Sequence, residues 1–166
     1  GDTHNPAVLS FLAPSEDKKR AITDSRKKTM NIINFIEKNL KIILPGMIGR
    51  YYDKFYPTAT GDNLQRMGYP CVLFEAGYYL NDLKKIKVRK YNAIAILAGL
   101  FYLANEENIE QDYRYYFSIP ENSKNIIDLI YKNVKIRKKG MEFYVDIGIM
   151  YEEKYNIYTK FHSFFS

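Results

Sequence analysis

The chain has 166 residues, 46% of them apolar and 16% aromatic, and a formal net charge of +6. That content excludes a chain disordered by composition and suffices for one core with a small appendage. No run approaches the roughly 20 apolar residues of a membrane span, and no basic-then-apolar leader is visible, so no membrane partner is expected and the compartment stays open, with the cytoplasm favoured.

Residues 7–13 form a short apolar run closed by Pro14, the pattern of a buried strand. Ser15 then offers an N-cap, with Glu16 and Asp17 placed to complement a helix dipole. Ile22, Met30, Ile33, Ile36 and Leu40 recur at helical intervals, which predicts a helix to about Leu40. Pro45-Gly46 ends it. Residues 46–68 read as irregular, with glycines and Pro57 among Tyr51, Tyr52, Phe55 and Tyr56. A Tyr-rich loop of this kind serves as a recognition surface or packs itself down.

Residues 69–77 read as a second apolar strand ending on Glu75 and then Gly77. A carboxylate at the end of a buried strand is costly unless it is paired or used. Sites in α/β sheets gather at that edge; a satisfied buried acid or a helix-flanking acid is the plainer reading. Cys71, the single cysteine, excludes an internal disulfide and reads as a buried inert thiol. A helix is expected from about Leu83 to Ala104, with Ile86, Tyr91, Ile94, Leu97, Phe101 and Leu103 on its buried side.

Composition shifts at Asn105-Glu106-Glu107-Asn108, which places a boundary between residues 1–107 and 108–166. A short helix from Lys124 to Tyr131 is expected beyond it. Strands over Asn133–Arg137 and Glu142–Glu152 follow, joined by a turn at Lys138-Lys139-Gly140. Such a hairpin needs something to pack against. The basic clusters at residues 18–20, 26–28, 84–90 and 135–139 fall on separate elements and read as solvated faces, so nucleic acid is not an expected partner.

Several short motifs together resemble one family. Leu73-Phe74-Glu75-Ala76-Gly77 resembles the strand of zinc carboxypeptidases that bears the catalytic glutamate. Residues 6–14 are similar to the strand after the last zinc-binding His in a bacterial subgroup. Gly49-Arg50-Tyr51 and Gly61-Asp62-Asn63-Leu64-Gln65 resemble its substrate-side loops, and Asn81-Asp82 with the following helix also fits. The likeness covers residues 6 to about 104, the carboxyl-terminal half of the catalytic domain, and the tail resembles an extension found in the bacterial subgroup.

This resemblance implies part of an α/β/α sandwich with a mixed sheet, plus a C-terminal β-hairpin. It gives Glu75 the role of general base, taking a proton from zinc-bound water and returning it to the leaving amine. Arg50 would clamp a substrate carboxylate. Tyr51, Tyr52 and Tyr56 are candidates for a tyrosine that closes over the substrate. Asp62 would flank the specificity pocket, or is a turn residue after Gly61. Tyr78 departs from the family, whose members often carry His there. The family's zinc needs a His-x-x-Glu pair and a later His. His4 and His162 are the only histidines and neither has that spacing, so no zinc is expected in this chain alone.

Two functions follow. One is the carboxyl-terminal part of a peptidase-like enzyme acting on an amide bond at a chain end, inactive by itself. The other is a non-catalytic module on a decayed peptidase scaffold that binds a peptide or glycopeptide. An exposed sheet edge would also favour a homo-oligomer.

Overall fold

The apolar run after Pro6 forms β1 (Leu9–Leu12), the central strand of a three-stranded sheet, in a computed structural model that describes residues 5–109, 111–123 and 127–151. β2 (Ile48–Arg50) pairs with it in parallel, Phe11 opposite Arg50. β3 (Leu73–Ala76) pairs antiparallel on the other side, Phe11 opposite Phe74 and Ser10 opposite Glu75. Side chains alternate along a strand, so Phe11 and Phe74 share one face and Ser10 and Glu75 the other. The two phenyl rings meet edge-on at 5.3 Å. The outer side of β2 is covered by residues 120–122: Arg50 N–H donates to the Pro120 carbonyl and Asn122 N–H to the Arg50 carbonyl, both at 2.9 Å. β3 stands at the sheet edge.

The first helix, α1 (Asp24–Leu40), starts later than Ser15. Arg20 adopts φ 56°, which breaks helical continuation, and Thr23 becomes the N-cap by accepting from Arg26 N–H at 3.2 Å. Ser15 instead donates its hydroxyl proton to the Asp53 carbonyl at 2.5 Å. The stretch expected to be irregular contains β2 and a short helix, α2 (Thr60–Arg66). Helix α3 (Ile86–Ala104) begins three residues after Leu83 because Asp82 accepts from Ile86 N–H and Val88 N–H, both at 2.9 Å.

The expected buried side of α3 is corrected in part: Val88, Ala95, Gly99 and Tyr102 are buried and Tyr91 and Ile94 pack partly buried against the core, whereas Ile86, Leu97, Phe101 and Leu103 are exposed. Close helix packing selects the small residues: a Cβ on Gly99 would sit 3.2 Å from Cδ1 of Ile36 on α1. Leu9 and Phe11 of β1 and Met30, Ile33 and Ile36 of α1 form the centre of the core. Tyr116, from a 3₁₀ helix over Tyr113–Ser118, and Ile119 are buried there as well.

The chain divides into one compact unit through Ser123 and another from Lys124. The second unit contains an antiparallel hairpin of β4 (Leu129–Lys138) and β5 (Met141–Ile149). Leu129–Tyr131, expected at the end of a helix, is strand; residues 124–126 lie outside the described residues. Lys139 and Gly140 have φ 51° and 78°, the backbone of a two-residue turn whose twist suits a hairpin. Asn133, at φ 56°, marks an irregularity in β4, and its N–H donates to the Asp146 carboxylate at 2.9 Å. His4, His162 and Glu152 lie outside the described residues. Among the described residues no helix is long and apolar enough to cross a membrane. The fold is therefore a mixed α/β sheet unit with an antiparallel hairpin unit.

Candidate functional site

β1 and β2 run in parallel, so their carboxyl ends meet the same edge of the sheet. A cleft of about 310 Å³ opens there. Lys19, Arg20, Arg26 and Arg50 line it with Asp53 and Glu121, and Ile22 and Phe117 supply apolar wall. Four cations thus face two carboxylates.

The floor is built on Arg26, in the first turn of α1 and 1% exposed. A guanidinium this deep is unstable unless its donors are used. Arg26 donates to the carbonyls of Ala13 at 3.3 Å, Arg20 at 2.9 Å and Ala21 at 3.3 Å, and forms an ion pair with Asp53. Asp53 follows β2 and also holds Arg20 at 2.9 Å. Burial pushes the Asp53 carboxyl upward, but Arg26 and Arg20 together bring it below the usual carboxylate range.

Arg50, the last residue of β2, forms the opposite wall. Its Nε donates to the Ile119 carbonyl at 3.0 Å and its Nη1 to Glu121 at 2.9 Å. The guanidinium lies 5.7 Å from the Tyr116 ring centre, and the Tyr116 hydroxyl accepts from Ala13 N–H at 3.2 Å. The Arg50 side chain is therefore fixed from three directions. Its counter-ion is looser, since the Glu121 side chain is 42% exposed.

The tyrosines fall in the loop after β2. Tyr51, Tyr52 and Tyr56 are exposed, and Tyr52 lies under Arg20 with its ring centre 5.1 Å away. Asp62 is buried and accepts from Tyr56 N–H at 2.6 Å, so it pins the loop from beneath. Behind it, the buried Gln65 accepts from Thr29 Oγ1 and Cys71 N–H, both at 3.0 Å, and donates to Ser25 Oγ at 2.6 Å. Burial, then the charge of Asp62, raises the Cys71 thiol pKa, which keeps it protonated.

Glu75 is exposed on β3 and does not line the cleft. Its cross-strand neighbour Ser10 is buried and exchanges hydrogen bonds with the Asn122 side chain. Gly77 allows a close approach of two backbones: Gly77 N–H donates to the Val8 carbonyl at 3.0 Å and Tyr78 N–H to the Ala7 carbonyl at 2.9 Å. A Cβ at Gly77 would lie 1.9 Å from the Ala7 oxygen. Among the described residues no group of three or more His, Cys, Asp or Glu side chains is placed to hold a metal ion.

Of the residues singled out in the sequence, Arg50 lines the cleft, Tyr56 and Asp62 are joined by a hydrogen bond, and Tyr51 directly follows Arg50. Arg20, Arg26 and Asp53 carry the cleft without a motif to mark them. One signal does exist: Arg26 falls at helical pitch with Ile22, Met30 and Ile33, a cation on an apolar stripe. No family model, curated protein or solved structure matches the chain.

Proposed function

We propose that this chain is a non-catalytic binding module on a scaffold resembling the carboxyl-terminal half of a zinc carboxypeptidase, and that its cationic cleft takes the carboxylate end of a peptide-like ligand. The setting of Arg50 carries this reading. Its guanidinium is anchored by the Ile119 carbonyl and the Tyr116 ring, while its Glu121 partner is partly exposed and replaceable. An incoming carboxylate that displaces Glu121 gains paired hydrogen bonds to a planar fork of donors. Lys19 and Arg20 add attraction, and Ile22 and Phe117 offer apolar contact to the residue beside the carboxylate.

The resemblance also gives Glu75 as the base of the parent hydrolytic reaction. Glu75 stands exposed on β3. Because Glu75 does not line the cleft, binding is favoured over hydrolysis as the activity of this cleft.

The test is calorimetric titration with a blocked tripeptide, acetyl-Ala-Ala-Phe, against its carboxyl-terminal amide. A charge-assisted hydrogen bond contributes about 1.5–3 kcal/mol, so the free acid is expected to bind at least about tenfold more tightly. Equal affinities for acid and amide would remove the proposal.

A further inference from the structure

We infer that α3 is a self-association surface, pairing antiparallel with α3 of a second copy of this chain about a two-fold axis between Ile96 and Leu97. The helix is apolar on both sides. One side, Val88, Ala95, Gly99 and Tyr102, is buried, and at Gly99 it lies against Ile36 of α1. At helical pitch on the opposite side lie Ala93, Ile96, Leu97, Leu100 and Ala104, all exposed; Leu97 is 64% exposed and Leu100 56%. A stripe of this length is unusual on a surface that meets only water.

The charges select the occupant. The amino-terminal end of α3 carries Lys84, Lys85, Lys87, Arg89 and Lys90, and the residues after its carboxyl end are Glu106 and Glu107. The first turn of α3 contains no acid and the last turn no base. Asp82 caps the first N–H groups of α3, but the cations at the helix start and the acids after its end oppose the helix dipole, so their order is unfavourable within one copy. Reversing a second copy against the first makes the same order favourable at both ends.

The register also closes. About the proposed axis Ala93 faces Leu100 and Ile96 faces Leu97, which sets small against large and apolar against apolar. Arg89 and Lys90 then fall opposite Ala104 and Leu103, at the end of the helix that Glu106 and Glu107 directly follow. A parallel pair would bring like charges together at both ends. The interface is isologous, as two-fold symmetry demands.

Sedimentation equilibrium of the full chain across a range of concentrations tests this. The wild type is expected to dimerise, and Leu97→Glu, at an exposed site, to raise the dissociation constant at least about tenfold through a buried unpaired charge while circular dichroism stays unchanged. Glu106→Lys/Glu107→Lys should weaken the dimer about three- to tenfold, and adding Arg89→Glu/Lys90→Glu should restore it, since exchanged charges meet again across the axis. A monomer at every concentration, a dimer indifferent to Leu97→Glu, or a four-site variant no tighter than the two-site one would each overturn the inference.

Discussion

Arg26 and Asp53, 27 residues apart in the chain, form an ion pair whose arginine is 1% exposed. The pair ties the first turn of α1 to the segment after β2. Arg26 also reaches the carbonyl of Ala13, just beyond β1, at 3.3 Å. One side chain therefore joins the ends of both parallel strands and closes the floor of the cleft.

Removing that side chain should cost far more than an exposed ion pair would. Arg26→Met leaves Asp53 with only Arg20 and takes donors away from three carbonyls. Breaking one partner of a buried pair costs about 3–5 kcal/mol. Urea unfolding of the variant should show a loss of that order; a loss under about 1 kcal/mol would mean the pair is dispensable.

Acid should weaken the same pair. Burial raises the Asp53 carboxyl, but Arg26 and Arg20 outweigh it and its pKa in the fold lies below the ordinary 3.8. A depressed carboxylate contributes stability that is complete above its unfolded value and fades as pH falls through its folded value. The stability difference between wild type and Asp53→Asn should thus be constant above about pH 5 and shrink below pH 3.8. Unfolding free energies measured at a series of pH values check this, and a constant difference down the whole acid limb would contradict it.

Gly77→Ala should disrupt the junction of β3 with the segment before β1. The new methyl would meet the Ala7 backbone oxygen at 1.9 Å, and backbone cannot rotate aside as a side chain can. Overpacking costs about 1–3 kcal/mol or more. Thermal unfolding should register a loss of at least about 2 kcal/mol; a variant as stable as the wild type would show that the strand ends separate freely.

How far the sequence discloses this molecule depends on the range of the interaction. β1, the strand bearing Glu75 and the turn of the hairpin are written in short-range patterns: an apolar run before Pro14, another before Gly77, and Lys139-Gly140 between alternating residues. β2 is hidden because three residues carry no period. The start of α1 is displaced because Glu16 and Asp17 imitate a first turn while the chain turns at Arg20. The orientation of α3 cannot be read from periodicity when both of its sides are apolar; Gly99 decides it through contact with Ile36. In the site, Arg50 is visible in Gly49-Arg50-Tyr51, but Arg26 hides in a basic cluster that resembles a solvated face. Its partner is fixed only by the packing of β2 on β1.

The most direct measurement compares ligand affinity in three variants of the full chain, with acetyl-Ala-Ala-Phe as the probe. Arg50→Gln removes the proposed carboxylate ligand. Lys28→Gln removes an equal charge from an exposed site on α1 outside the cleft lining, and Glu121→Gln removes the internal competitor. Affinity should fall at least about tenfold in the first, stay within about twofold in the second and rise in the third. Equal losses in Arg50→Gln and Lys28→Gln, or weaker binding in Glu121→Gln, would show that the cleft attracts anions only through net charge and does not hold a carboxylate at Arg50.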